Sequence, residues 1–249
     1  MFRHFALLML MALPVHAEEV VAGLSQDTVK ITTNFDGSEI LIFGAVKRDA
    51  PLPDGEPLQV IVTVEGPKGP VTIRRKDKRF GIWVNNASVE VDEAPSFYAV
   101  ATSGPWADVI SDVEDLRHDV SIDRAIRAVG LERDDSAEFV EALIRIKNDQ
   151  GAYFNQFGAV EVDEETLFKT SISLPANLTE GEYKTRFLLT RGGEVLDTHE
   201  TYLDVRKVGL EQFLFNLSRQ QPLIYGLMSL AIAISAGWMA SAFFRWIRF

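Results

Sequence analysis

GEYKTRFLLTRGGEVLDTHETYLDVRK, residues 181–207, is the stretch that decides the fold. Both halves are rich in β-branched and aromatic residues and alternate apolar with polar side chains, the period of a strand with one buried face. They meet at Arg191-Gly192-Gly193, where glycines supply the left-handed backbone that a tight hairpin turn needs. Immediately upstream, 175–181 holds Pro175, Asn177 and Gly181, all turn formers, and Tyr183 follows early in the strand.

Outward from this hairpin the same patterning recurs. Strands are expected at TVKITT (28–33), EILIFGAV (39–46) after Asp36-Gly37, LQVIVTVEG (58–66), VTIRR (71–75), FGIWVN (80–85), ASVEV (87–91), SFYAVATS (96–103), 159–162 and 166–174. Short strands with closely spaced turns predict a mainly β chain built as a sandwich. The turn followed by Tyr183 resembles the corner of immunoglobulin-like sandwiches, where a tyrosine hydroxyl bonds back to the loop. An immunoglobulin-like β-sandwich over 18–207 is therefore expected. Two small β domains joined by helices remain the alternative.

Periodicity switches to helical over 106–150, a helical insert read as two helices parted near Gly130. In the second, Asp135 can cap, Glu138 suits the far end of a capping box, and Phe139, Val140, Leu143, Ile144 and Ile146 form an apolar stripe. In the first, Asp108, Asp112, Asp115, Asp119 and Asp123 fall on one face, opposite Val109, Val113, Leu116 and Val120. A solvated helix face explains these carboxylates more simply than a cation site.

The two ends address the protein. Residues 1–17 combine Arg3, a short apolar run and Val15-His16-Ala17, a signal peptide with cleavage expected before Glu18. Residues 222–244 carry no charge and, at about 1.5 Å per residue, span a hydrocarbon core of about 30 Å. Arg245 and Arg248 follow, so the tail 245–249 is expected in the cytoplasm and the domain 18–207 in the periplasm. A bacterial inner-membrane protein with a single pass is the expectation. Between domain and span, Leu210, Phe213, Leu214 and Leu217 recur at helical spacing, making 208–221 a juxtamembrane amphipathic segment. The chain has no cysteine, and a formal charge of −11 argues against nucleic acid as a partner.

Little in the sequence points to catalysis. After the leader only His118 and His199 remain, without HxH, HExxH or HxxE spacing, and Ser96 and Ser103 lack a GxSxG elbow. No catalytic residue, metal or cofactor is expected, and the chain is read as a non-enzyme. Two features suggest contacts instead. Arg74, Arg75, Lys76, Lys78 and Arg79 concentrate positive charge in an acidic chain, either an anion or acidic-partner patch or a charged hairpin tip that keeps an edge strand soluble. Ser229, Ala233, Gly237 and Ser241 line one face of the spanning helix, a stripe suited to packing against another helix.

The stretches ITTNFDGSEILIFGAV, RRKDKRFGIWVNNASVEVDEAPSFYAVATS and LPANLTEGEYKTRFLLTRGGEVLDTHETYLDVRKVGLEQFLFNLSRQQPLIYGL resemble the alphaproteobacterial "putative transmembrane protein" family over nearly the whole chain. The resemblance implies no active site. It implies an accessory role beside an inner-membrane permease, an anion exporter of the sulfite type. The alternative function is a periplasmic solute-binding or enzymatic domain using a cleft between sandwich and insert.

Overall fold

The computed structural model describes residues 18–32, 35–48, 55–128 and 136–247. The leader 1–17, Gly130, Asp135 and the last residues of the tail lie outside the described residues. In chain order the elements are β1 (Glu18–Leu24), β2 (Thr28–Ile31), β3 (Ser38–Arg48), β4 (Gln59–Glu65), β5 (Lys68–Arg79), β6 (Ile82–Pro95), β7 (Tyr98–Thr102), α1 (Trp106–Val109), α2 (Asp112–His118), α3 (Ile122–Ala125), α4 (Ser136–Asp149), β8 (Tyr153–Gln156), β9 (Glu161–Asp163), β10 (Leu167–Leu174), β11 (Gly181–Arg191), β12 (Glu194–Lys207), α5 (Leu210–Gln220) and α6 (Pro222–Ile247).

Two sheets face each other. One runs β1-β3-β10-β9, antiparallel throughout; the other runs β2-β12-β11-β4-β7-β8, with β2 parallel to β12 and β8 parallel to β7. Between them Val20, Ile40, Ile42, Phe168 and Ile172 meet Val60, Val62, Val64, Phe187 and Leu203 in one buried cluster. The period-2 pattern produces this directly: in β10, Phe168, Thr170, Ile172 and Leu174 are buried while Leu167, Lys169 and Ser173 are exposed. Phe168 sits opposite Gly44 in the register, and a Cβ there would lie 2.3 Å from the Phe168 ring. Only glycine admits that ring.

The six-stranded sheet is covered on its other face as well. Ile61, Tyr98, Val100 and Leu188 pack there against Ile73, Val89 and Val91 of the β5–β6 hairpin and against Val109, Val120, Ile122, Phe139 and Leu143 of the insert. β4 is buried on both faces, residues 60–65 throughout, which suits its apolar Val60, Ile61, Val62 and Val64; Thr63 and Glu65 are buried among them. The Tyr183 hydroxyl donates to the Thr179 carbonyl at 2.9 Å, the corner expected from the sequence.

The first half of the insert departs from expectation. Three short helices replace one long one, because polar side chains serve as caps inside it. The Ser111 hydroxyl accepts from the Glu114 amide, and the Asp115 carboxylate accepts from the Val120 and Ser121 amides at 3.2 and 2.7 Å. Asp119 stops α2 in a left-handed conformation, φ 49°. The expected acidic face is thereby broken: Asp115 is buried, while Val113 and Leu116 are exposed. Arg186 of β11 pins this turn to the sheet, donating to the carbonyls of His118 (2.6 Å) and Asp119 (2.9 Å) and to the Tyr98 hydroxyl (3.1 Å). Burial pushes the Tyr98 phenol up to about 12, so at neutral pH it stays a donor, to the Val120 carbonyl at 2.8 Å.

β1 and β8 were not among the expected strands, and FGIWVN and ASVEV merge into the single β6. β1 begins at Glu18, whose carboxylate takes Arg48 at 2.6 Å and Arg191 at 3.1 Å. Burial would raise that carboxyl, but the two guanidinium groups outweigh it and hold it below the ordinary carboxylate value.

Candidate functional site

The β5–β6 hairpin carries the basic cluster. Its base belongs to the outer-face core, but from Arg74 onward every residue of β5 is exposed. The tip is a two-residue turn, Phe80-Gly81, with φ of 51° and 86°, the geometry that favours Asn-Gly or Gly-Gly. Phenylalanine in the left-handed region is strained by roughly 1 kcal/mol or more, and here it is fully exposed. Ile82 and Trp83 beside it are 65% and 68% exposed. Lys78 and Arg79 flank the turn opposite Trp83 and Ile82, so at the tip cations and exposed apolar side chains stand side by side, and Arg74, Arg75 and Lys76 follow along the strand below.

Nor do the five cations converge. The Arg75 guanidinium meets the Glu138 carboxylate at 3.2 Å and lies 5.1 Å from the Phe139 ring centre, fastening the arm to the N-terminal turn of α4. Arg79 donates to the Asn86 side-chain oxygen at 2.9 Å. A register shift between Arg75 and Lys76 breaks the alternation of faces. Arg74, Lys76 and Lys78 are exposed along the arm. The result is a charged arm with exposed apolar side chains at its tip, and the arrangement suits a surface contact better than a closed anion pocket.

Along α6, Ser229, Ala233, Gly237 and Ser241 are all exposed, and a Cβ on Gly237 would meet nothing within 4 Å. The stripe runs along one face of the one helix, Pro222–Phe243, that is long and apolar enough to cross a membrane among the described residues. α5 leads into it, with Phe213 and Phe215 exposed and a break at Gln221.

The sequence reading missed a third place. In α4 the stripe Phe139, Val140, Leu143, Ile144 continues at helical spacing to Lys147, whereas Ile146 is exposed. Lys147 reaches a small cavity of about 120 Å³ lined also by Ser96, Gln150, Asn177, Thr179 and Tyr183. Its ammonium donates to the Ser96 carbonyl at 3.4 Å and lies 5.8 Å from the Tyr153 ring centre. Burial pushes it below its ordinary value of 10.5. The Ser96 hydroxyl is buried without a well-formed hydrogen bond; its nearness to the Tyr183 phenol offsets only part of the rise that burial imposes there. A charged residue in phase with an apolar stripe was the signal available in the sequence.

Among the described residues no three histidine, aspartate or glutamate side chains gather as a metal would need. The Ser103 hydroxyl accepts from the Val60 amide at 2.9 Å and bonds Gln59, a structural use.

The sequence model of the family described as "Putative transmembrane protein (Alph_Pro_TM)" matches residues 19–246, and the chain belongs to that family. With its C-terminal apolar helix it is a membrane protein. No curated protein matches the sequence. Among solved structures, the sporulation control protein Spo0M from Bacillus subtilis aligns at 12% identity and a TM-score of 0.28, over 82% of this chain and 56% of that one. The chain thus spans about half the length of that protein, and a likeness at this score carries no argument.

Proposed function

We propose that the chain is a non-enzymatic, membrane-anchored accessory protein whose exported domain docks a partner through the β5–β6 arm. The observation that carries this is the tip: Phe80, Ile82 and Trp83 are exposed together beside a ladder of cations, in an otherwise acidic chain. Exposed apolar patches of this kind mark interaction sites, and Trp and Arg are the side chains most often found at interface hot spots. The strand order β1-β3-β10-β9 against β2-β12-β11-β4-β7, with the Tyr183 corner, supports an immunoglobulin-like sandwich as the scaffold.

The cleavage sequence before Glu18 and Arg245 after the span support a periplasmic domain on a single inner-membrane helix, C-terminus inside. The partner is an inner-membrane protein, and the family resemblance favours a permease of the sulfite-exporter type. The Ser229, Ala233, Gly237 and Ser241 face would pack against one of its helices.

Mild crosslinking in native membranes, followed by capture of the full-length protein, tests this. Wild type should recover one membrane protein that is lost when Phe80, Ile82 and Trp83 are all changed to serine. A version with 222–244 replaced by poly-leucine reports separately on the helix face. Equal recovery by the tip variant would sink the docking role of the arm.

A further inference from the structure

We propose that the cavity between the C-terminal turn of α4 and the loop preceding β11 binds a small oxyanion, with the Lys147 ammonium as its charge partner. This goes beyond the docking reading, since the arm's tip takes no part in the cavity.

Charge makes the first argument. The lining residues include no carboxylate, and among the described residues none pairs with Lys147. Its hydrogen bond to the Ser96 carbonyl is long, at 3.4 Å. A half-buried ammonium so poorly compensated is costly to the fold, and a bound anion would repay the desolvation. A cation would be repelled there.

The remaining lining supplies the second argument. The Asn177 and Gln150 amides and the Thr179 and Ser96 hydroxyls are neutral groups able to donate to oxygen, and Ser96 has no well-formed bond to give up. An apolar ligand would leave the buried Ser96 hydroxyl unsatisfied. A volume of about 120 Å³ corresponds to roughly four waters at about 30 Å³ each. That is room for a phosphate, sulfate or short carboxylate group.

Register places the site within the molecule. Gly181 pairs with Val205 and Tyr183 with Leu203, so the cavity lies at the end of the domain from which β12 continues toward α5 and α6. The same oxyanion chemistry could therefore come from a free ion or from a lipid headgroup.

The test is calorimetric titration of the full-length protein in detergent micelles with inorganic phosphate, sulfate and glycerol 3-phosphate, at ionic strength held constant with chloride. Saturable one-to-one binding is expected for at least one probe, weakened tenfold or more by Lys147→Gln. That substitution removes a poorly solvated charge, so the melting temperature should hold or rise. Wild-type affinity should also fall as pH rises through the lowered Lys147 value, while Tyr153 and Tyr183, both raised by burial, stay protonated. Tenfold preference for glycerol 3-phosphate identifies a headgroup; equal or weaker binding identifies a free ion. Absence of saturable binding to all three probes, or equal affinity in Lys147→Gln, overturns the proposal. Should that variant fail to fold, Asn177→Leu at the exposed rim decides: a loss of at least threefold supports the site, and unchanged affinity overturns it.

Discussion

The two halves of the β5–β6 hairpin share one pair of strands and meet opposite fates. At the base, Ile73, Val89, Val91 and Ala94 are buried between the six-stranded sheet and the insert. At the tip, Phe80, Ile82 and Trp83 are as apolar and lie in water. Burying a large apolar side chain stabilises by roughly 1.5–3 kcal/mol; the base collects that gain and the tip forgoes it. Stability alone would have put Asn-Gly at the turn and polar residues beside it. The tip's composition is thus not explained by the fold, and the contrast is what motivates a partner for it.

The contrast can be broken at three points. The largest effect is expected from Val91→Asp, which buries an unpaired carboxylate in the base: a loss of about 4 kcal/mol or more, read as a collapse of the urea midpoint. A variant that stayed folded would mean the base is not part of the core. At the junction, Arg75→Ala removes an exposed ion pair with Glu138 and a ring contact with Phe139. About 1 kcal/mol is expected from thermal denaturation, falling with added salt, because this ion pair is exposed. The smallest change, at the tip, should have the opposite sign. Phe80→Asn suits the left-handed backbone better and should stabilise by up to about 1 kcal/mol. A loss of stability there would show that the Phe80 ring serves the fold after all.

Much of the sandwich was legible because its strands obey the rule of two. In β10 and in the first half of β11 the apolar positions alternate, and Tyr183 announced its corner through the Pro175–Gly181 turn sequence ahead of it. Legibility failed where side chains compete with the backbone or where pairing comes from tertiary contact. Asp115 reads as one rung of an acidic helix face, yet it caps the chain beyond α2 and buries itself. β8 is four residues long and owes its strand geometry to a parallel pairing with β7 that follows a long crossover. As for the sites, composition marked the basic cluster, but nothing in it told that Arg75 and Arg79 would turn to Glu138 and Asn86. Lys147 was hidden because an apolar stripe is read by its apolar members.

One connection has a mechanical meaning. The last residues of β12 are bonded on both sides, Asp204–Lys207 to β2 in parallel and Gly181 and Glu182 to Val205 and Asp204 in antiparallel. Only Val208 and Gly209 separate that strand from α5. A pull on the membrane helix is therefore delivered along the axis of β12, where flanking rows of hydrogen bonds resist in shear and must give way together, not one after another as in peeling. The domain is moored like a stiff tether: tension on β12 is shared between β2 on one side and β11 on the other.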